Sequence, residues 1–527
     1  MIRSITIICL LFLSVLSAQA QTKFQLNLGG LTNGRIIISR QTMDGGYMFS
    51  GYTNSTDMDY FLIKIDSASN LLWTKTYGTA LTPEFLFEAI QTTDGGYMMA
   101  GYNIINGRSN MYFVKVDANG DTLFTRTFGG IWNESAASII QTNDGGYLAA
   151  GAFSDNSTPT NVSMLIYKMD ASGDSTWSKL YSAPGATSWE LASGIKQTSD
   201  GGYIIAGDYN FGQFTRDAYL VKIDNSGTLL WNKTYHFPGT TTVASIEETP
   251  DDGFIVGGKY IPVGGLNDKL FLLRTNSVGD TLWTSAYGGQ YLDDGGWVTQ
   301  TSDGGFIQSG RTENFGANSI GDACLLKTTS SGAMSWSFRY GGNQSELFSS
   351  VDQTTDGGYI TGGVTGSFGT GYFYIVKTDS LGNSNCSQFA TPAVATHPPV
   401  SVGTTALGDL TPGSIVSNSS TIVGSLSSAV NTICYTTTGI NETENNFSGI
   451  SVFPNPTNDQ INIILSGDQK TKLEYLLTNI QGQQIIKGTI NSTDKLTTLN
   501  IDSFPSGIYI LKVICEEFTK QMQIVKL

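Results

Sequence analysis

The chain has 527 residues with 62 Gly, 24 Tyr and 26 Phe, and 14% of its residues are charged, a usage that suits strands and tight turns and excludes a protein built on long surface helices. Its 29 basic and 44 acidic residues leave a formal charge of −15 without any basic cluster. That balance argues against nucleic acid or an anionic membrane as partner, because both are bound through Lys and Arg.

In chain order, Arg3, the apolar run from Ile5 to Leu16 and the small-x-small triplet Ala18-Gln19-Ala20 read as a signal peptide over residues 1–20, with the mature chain starting at Gln21. No later stretch approaches the roughly 20 apolar residues of a membrane helix, so no membrane span is expected in the mature chain. Cys324, Cys386, Cys434 and Cys515 remain after processing.

Over residues 21–386 one phrase recurs seven times, Gln-Thr-x-Asp-Gly-Gly-Tyr with variations, beginning at Gln41, Gln91, Gln141, Gln197, Glu248, Gln300 and Gln353. A period of about 50 residues marks a circular or stacked β array. Glu84 to Gly130 illustrates one unit: four short β-rich runs bounded by Gly, Asn or Asp, an antiparallel meander whose first turn is the Asp-Gly-Gly element. The small-residue-plus-Gly pair ending each second strand, such as Ala100-Gly101, marks a close approach of backbone. The fourth strand carries Trp73, Phe124, Trp177, Trp231, Trp283 or Trp336, rings expected to fill the space between adjacent sheets.

The seventh unit lacks a fourth strand. Phe24-Gln25-Leu26-Asn27-Leu28-Gly29-Gly30 matches the fourth strand Phe124 to Gly130, so the N-terminal segment is expected to complete the last sheet. The predicted fold is therefore all-β, a seven-bladed β-propeller closed by the N-terminal strand and followed by a small C-terminal β-sandwich. An open β-solenoid is the alternative, and it leaves the deficit at one end and the surplus at the other unexplained. The Thr-x-Asp-Gly-Gly-Tyr turn resembles the Asp-box hairpin of sialidase-like propellers, a likeness of about eight residues per repeat that implies nothing about catalysis.

Residues 387–446 change to Ser, Thr, Val and Pro with almost no charge, and read as a linker joining two domains, with partial strand as an open alternative. Cys386 and Cys434 bracket it, and in an exported chain a disulfide between them is expected, two free thiols being the alternative. Residues 447–527 hold about seven short strands. Their landmarks are Phe453-Pro454-Asn455-Pro456, the Asn479-x-x-Gly482 turn, the strand Pro505-Ser506-Gly507-Ile508-Tyr509 to Val513, and a last strand ending at Lys526. In these the segment resembles the type A sorting domain of cargo proteins of the type IX secretion system of the Bacteroidetes. The resemblance implies passage through the outer membrane, the secretion machinery as partner, and a location secreted or on the outer cell surface.

Chemistry-bearing motifs are few. The mature chain has two histidines, His236 and His397, and no nucleophile elbow, zinc motif or phosphate loop, so no catalytic residue, metal or cofactor is predicted. The turn residues Asp44, Asp94, Asp144, Asp200, Asp251, Asp303 and Asp356 read as turn stabilisers rather than calcium ligands, which come six or more to an ion. The Lys-x-Asp pairs ending third strands, such as Lys115 and Asp117, read as solvated strand ends. A second acidic series, Glu84, Glu134, Glu190, Asp293 and Glu346, opens five first strands, where it is expected to ring the channel mouth and bind a cation, a basic group or sugar hydroxyls; the alternative is that each carboxylate caps its own loop. The predicted function is an exported binding protein for an extracellular glycan or protein, with a carbohydrate-active enzyme using two of these carboxylates as the alternative.

Overall fold

The repeated phrase forms the turn between the first two strands of each unit in the computed structural model, and the bonds of that turn account for its composition. In the second unit Thr92 and Gly96 exchange a backbone bond of 2.9 Å, and Asp94 Oδ1 accepts from Thr92 Oγ1 at 2.5 Å and from the Gly96 amide at 2.9 Å. Gly95 has φ of 83°, a region where a side chain is strained. Asp252 holds the equivalent place in the fifth unit with φ of 59°, as short polar residues tolerate.

The structure describes residues 21–29, 34–53, 58–155, 162–182, 188–211, 216–264, 268–289, 293–313, 321–368, 373–384, 388–390, 394–403, 408–410, 415–417, 422–424, 429–438, 450–453, 459–465, 473–479, 484–490, 496–505, 507–514 and 519–526. The signal-peptide segment 1–20 and Cys386 lie outside them. Contacts divide the chain into two units, residues 1–437 and 438–527. No helix among the described residues is long and apolar enough to cross a membrane.

The first unit contains seven antiparallel sheets, numbered here by repeat. Sheet 2 orders Glu84–Gln91, Tyr97–Ile105, Arg108–Val116 and Thr122–Gly129 as read from the sequence. In sheet 7, Glu346–Gln353, Tyr359–Thr365 and Phe373–Thr378 are followed by Gln21–Gly29. The register pairs Phe24 with Lys377, Leu26 with Ile375 and Leu28 with Phe373. Phe24 meets Tyr47 of sheet 1 with ring centroids 5.9 Å apart, as Trp73 meets Tyr97 of sheet 2 at 6.0 Å and Trp336 meets Tyr359 of sheet 7 at 5.8 Å. The fourth-strand aromatics thus pack onto the next sheet, and Tyr77 and Tyr235 extend the grip by donating to the Gly120 and Gly279 carbonyls of the next sheet at 2.8 and 2.6 Å.

The Gln of the phrase links neighbouring sheets by reaching back to the preceding one. Gln91 Oε1 accepts from the Met43 amide at 2.8 Å, Gln141 from Thr93 at 2.8 Å and Gln197 from Asn143 at 2.9 Å. Gln41 of sheet 1 accepts from Thr355 of sheet 7 at 2.7 Å. Between sheets 5 and 6 the donor position is Pro250, which has no N–H to give, and a recess of about 290 Å³ lined by Pro250, Trp283 and Gln300 lies there.

Each first strand carries a bulge, between Leu86 and Glu88 in sheet 2, and the glycine ending the second strand lies opposite it. A Cβ at Gly101 would stand 1.9 Å from the Phe85 carbonyl oxygen and 2.5 Å from Tyr60 Oη, so the close approach there is both to the sheet's own first strand and to sheet 1. Gly101→Ala is expected to cost about 2–4 kcal/mol in a urea melt. Gly145→Ala, with φ of 82° and no atom within 4 Å of the added carbon, should cost only the left-handed backbone penalty of about 1–2 kcal/mol.

The lysines ending the third strands are buried rather than solvated. Each reaches back to the turn aspartate of its own sheet: Lys64 to Asp44 at 2.9 Å, Lys115 to Asp94 at 2.8 Å, Lys222 to Asp200 at 2.8 Å and Lys377 to Asp356 at 3.0 Å. Burial alone would raise the Asp94 carboxyl, but bonds from Lys115, Thr92 and the Gly96 amide outweigh it and hold it down at about 2. An ammonium therefore occupies the place a cation would take at these turns. The aspartate two residues beyond each lysine caps the next turn, as Asp117 does by accepting from the Asn119 and Asp121 amides at 2.9 and 2.8 Å.

The segment read as a linker carries short strands. Gln388–Ala390, Val394–Thr396, Ser401–Gly403, Gly408–Leu410, Ile415–Ser417, Ile422–Gly424 and Ala429–Thr438 add a fifth strand to sheets 6, 5, 4, 3, 2, 1 and 7 in that order. The pairing covers the end of each fourth strand, for example Ile415 to Ser417 against Gly129 to Thr127. These strands cover backbone edges that would otherwise be open to pairing with other chains.

The second unit holds a three-stranded sheet of Ile450–Phe453, Gln460–Leu465 and Leu496–Asn500, and a four-stranded sheet of Gln484–Ile490, Leu473–Asn479, Gly507–Ile514 and Thr519–Lys526. Ile461, Ile463, Leu477, Leu499, Leu511 and Ile524 from both sheets form one core.

Candidate functional site

The acidic series comes first because the sequence singled it out. All five carboxylates, Glu84, Glu134, Glu190, Asp293 and Glu346, are buried, and none lines the recess described below. Glu84 Oε1 accepts from the Thr79 amide at 3.1 Å, Thr79 Oγ1 at 2.6 Å and Thr82 Oγ1 at 2.7 Å, all in the loop just before it. Asp293 accepts from the Gly289 amide at 3.0 Å, and Glu346 from the Gly342 amide at 3.2 Å and Thr365 Oγ1 at 2.8 Å. The backbone N–H at this position docks on a loop of the preceding sheet: Glu84 on Met58 O at 2.9 Å, Glu190 on Val162 O at 2.8 Å and Glu346 on Gly321 O at 3.0 Å. Thr241 does the same on Arg216 O at 2.8 Å without a carboxylate. The position is an inter-sheet clasp, and the capping alternative describes the bonds seen at Glu84, Asp293 and Glu346.

Burial pushes the Glu84 carboxyl up to about 7 despite the bonds from Thr79 and Thr82. A carboxyl whose proton is held more tightly when folded contributes most below its unfolded value near 4.5, and that contribution is lost as pH rises through about 7. Glu84→Gln is expected to remove up to about 3 kcal/mol of this fall between pH 4.5 and 8. Urea melts of both proteins at the two pH values check it; Asp208, also raised to about 7 by burial, keeps its own share in the variant.

The arrangement that gathers chemistry is at the other end of the first strands, next to the Asp-Gly-Gly turns. A recess of about 460 Å³ is lined by all seven first strands, through Arg40, Ile90, Ile140, Lys196, Ser245, Trp297 and Asp352. Alternation along each strand turns the residues one and three places before the Gln position to one face. Ala89, Ile139 and Ile246, between those places, are buried in the cores.

Trp297 stands apart because its strand has a wider bulge. Gly295 pairs with Gly310 and the next pair is Val298 with Gln308, so Gly296 and Trp297 are both unpaired. A Cβ at Gly295 would lie 1.8 Å from the Gly258 carbonyl oxygen, which explains the glycines before the tryptophan. Trp297 packs on the core that holds Ile38 and Leu86 of sheets 1 and 2, and the Arg40 guanidinium lies 5.3 Å from its ring centroid. Arg40 also pairs with Glu88 at 3.1 Å, and Lys196 pairs with Glu247 at 2.9 Å. Asp352 Oδ2 accepts the Gln41 amide at 3.2 Å. Burial pushes both the Glu88 and Asp352 carboxyls up, against the pull of Arg40.

None of these residues was singled out from the sequence. The signal available was variability within a constant phrase: the residue before the Gln position is Arg40, Ile90, Ile140, Lys196, Glu247, Thr299 or Asp352, whereas the residues after it barely change.

Of the remaining predicted residues, Cys434 is disulfide-bonded, and its Sγ lies 3.6 Å from the carbonyl oxygen of Ser384. Cys324 is free and buried. In the second unit Pro454, Asn455, Pro456 and Gly482 lie outside the described residues. Tyr509 Oη donates to the Pro505 carbonyl at 2.7 Å, and Gly507 pairs with Lys526.

Residues 451–526 match the family described as the secretion system C-terminal sorting domain, which supports the chain as cargo exported through the type IX secretion system. No curated protein matches the chain. Among solved structures it is similar to Sqt1 from Chaetomium thermophilum, at 9% identity, covering 68% of this chain and 100% of that one with a TM-score of 0.37, a level that carries no argument.

Proposed function

We propose that the seven sheets are the blades of a closed seven-bladed β-propeller, and that the protein is an exported cell-surface or secreted binding protein. Its signal peptide over residues 1–20 takes it across the inner membrane, and the sorting domain over 447–527 takes it across the outer membrane. The sorting-domain match over residues 451–526 carries the export reading. The recess to which every first strand contributes supports both a common axis and a ligand site on it, since ligands favour concave sites with a few convergent polar groups. The hydrolase alternative needs two carboxylates facing one cleft, whereas Glu84, Asp293 and Glu346 accept bonds from the loops that precede them.

Two measurements test this reading. In a bacterium with a working type IX system, the full chain is expected outside the cell, and a chain lacking residues 447–527 in the periplasm; equal export of both would sink the delivery route. Screening the mature chain against arrayed glycans and extracellular proteins tests the binding role, and a ligand whose binding survives Trp297→Ala would move the site away from the recess.

A further inference from the structure

We propose that the axial recess takes a cationic group, a primary ammonium or a guanidinium, with Asp352 as its counter-ion; this rests on reading the chain as a binding protein. Five charged side chains lie in or beside the recess and they do not balance. Arg40 is engaged by Glu88 at 3.1 Å and Lys196 by Glu247 at 2.9 Å, and Asp352, a third carboxylate, forms no ion pair among the described residues although it lies in the field of both cations. One of its oxygens accepts the Gln41 backbone amide at 3.2 Å. The side chain is half-buried where the recess opens.

Excess negative charge in a half-enclosed site is costly when empty and is relieved by a bound cation. An anion gains nothing here, because both cations are already neutralised. The walls suit the stem that carries such a group: Ile90 and Ile140 are aliphatic, and the Trp297 face already receives the Arg40 guanidinium at 5.3 Å, the geometry in which an aromatic ring attracts a cation. A volume of about 460 Å³ is at the lower end for small-molecule pockets, so one side chain or a short diamine fits better than a polymer.

Calorimetric titration of the mature chain with agmatine, cadaverine and the peptide Gly-Arg-Gly, beside N-acetylglucosamine and citrate, tests the proposal. At least one cationic probe is expected to bind, with the peptide arm separating a protein side chain from a free amine as the source. Affinity should fall about tenfold or more in Asp352→Asn, whose melting temperature stays near that of the parent, and should weaken with added salt. Equal binding of the cations to parent and Asp352→Asn overturns the assignment. So does binding of N-acetylglucosamine or citrate alone; if that binding is lost in Trp297→Ala, the recess stands as a site and only the ligand class fails. Silence from all five probes overturns it as well, while the wider ligand screen still judges the binding role.

Discussion

Leu26→Asp is expected to abolish cooperative folding of the first unit. Leu26 is fully buried, pairs with Ile375 and shares a core with Ile36, Phe49, Phe61 and Phe373, so the substitution both removes apolar contact and buries a carboxylate without a partner. The expected loss exceeds about 5 kcal/mol, comparable to the whole stability of many domains. Leu123→Asp is the control: it lies in the equivalent strand of sheet 2 but faces solvent, and should change stability by less than about 1 kcal/mol. Circular dichroism melts decide the matter, and similar melts for the two variants would show that the N-terminal strand does not matter to the fold.

Cys434→Ser is expected to destabilise the first unit. The seven fifth strands leave sheet 7 after Ser384, pass along sheets 6 to 1 and return to sheet 7 at Ala429–Thr438. Cys434 sits on the returning strand 3.6 Å from the Ser384 carbonyl oxygen. With Cys386 as its proposed partner, the disulfide turns this strap into a hoop. Cross-linking a loop of about 50 residues stabilises by about 4 kcal/mol in the chain-entropy account. Urea melts should show Cys386→Ser, Cys434→Ser and the double variant equally destabilised, the signature of one shared bond. A double variant markedly weaker than either single one would name a different partner for Cys434.

The parts of this architecture legible in the sequence were those repeated for a local reason. Asp94, Gly95 and Gly96 answer to one turn, Gly101 to one bulge and Trp73 to one neighbour, so each recurs at a fixed offset and can be read from a single unit. The completion of sheet 7 was legible because Phe24 to Gly30 copies a strand missing elsewhere. The fifth strands were not, since six of the seven are three residues long and each draws its partner from another part of the chain. A trace existed all the same: from Val394 the strands begin at Ser401, Gly408, Ile415, Ile422 and Ala429, a step of seven residues that in extended form spans up to about 24 Å. The buried lysines were misread because a charged residue next to a turn usually points to solvent, and only the fold brings Lys115 to Asp94 of its own sheet. The recess residues left no repeated signal, because their types differ from sheet to sheet, as Arg40, Ile90, Lys196 and Asp352 do.

Amide hydrogen exchange on the mature chain tests the central claim, ring closure by the N-terminal strand, most directly. Closure predicts that the Phe24 to Leu28 amides exchange as slowly as those of Phe373 to Lys377, their register partners, through global unfolding of the first unit. Exchange of Phe24 to Leu28 within seconds, while Phe373 to Lys377 stay protected, would contradict it.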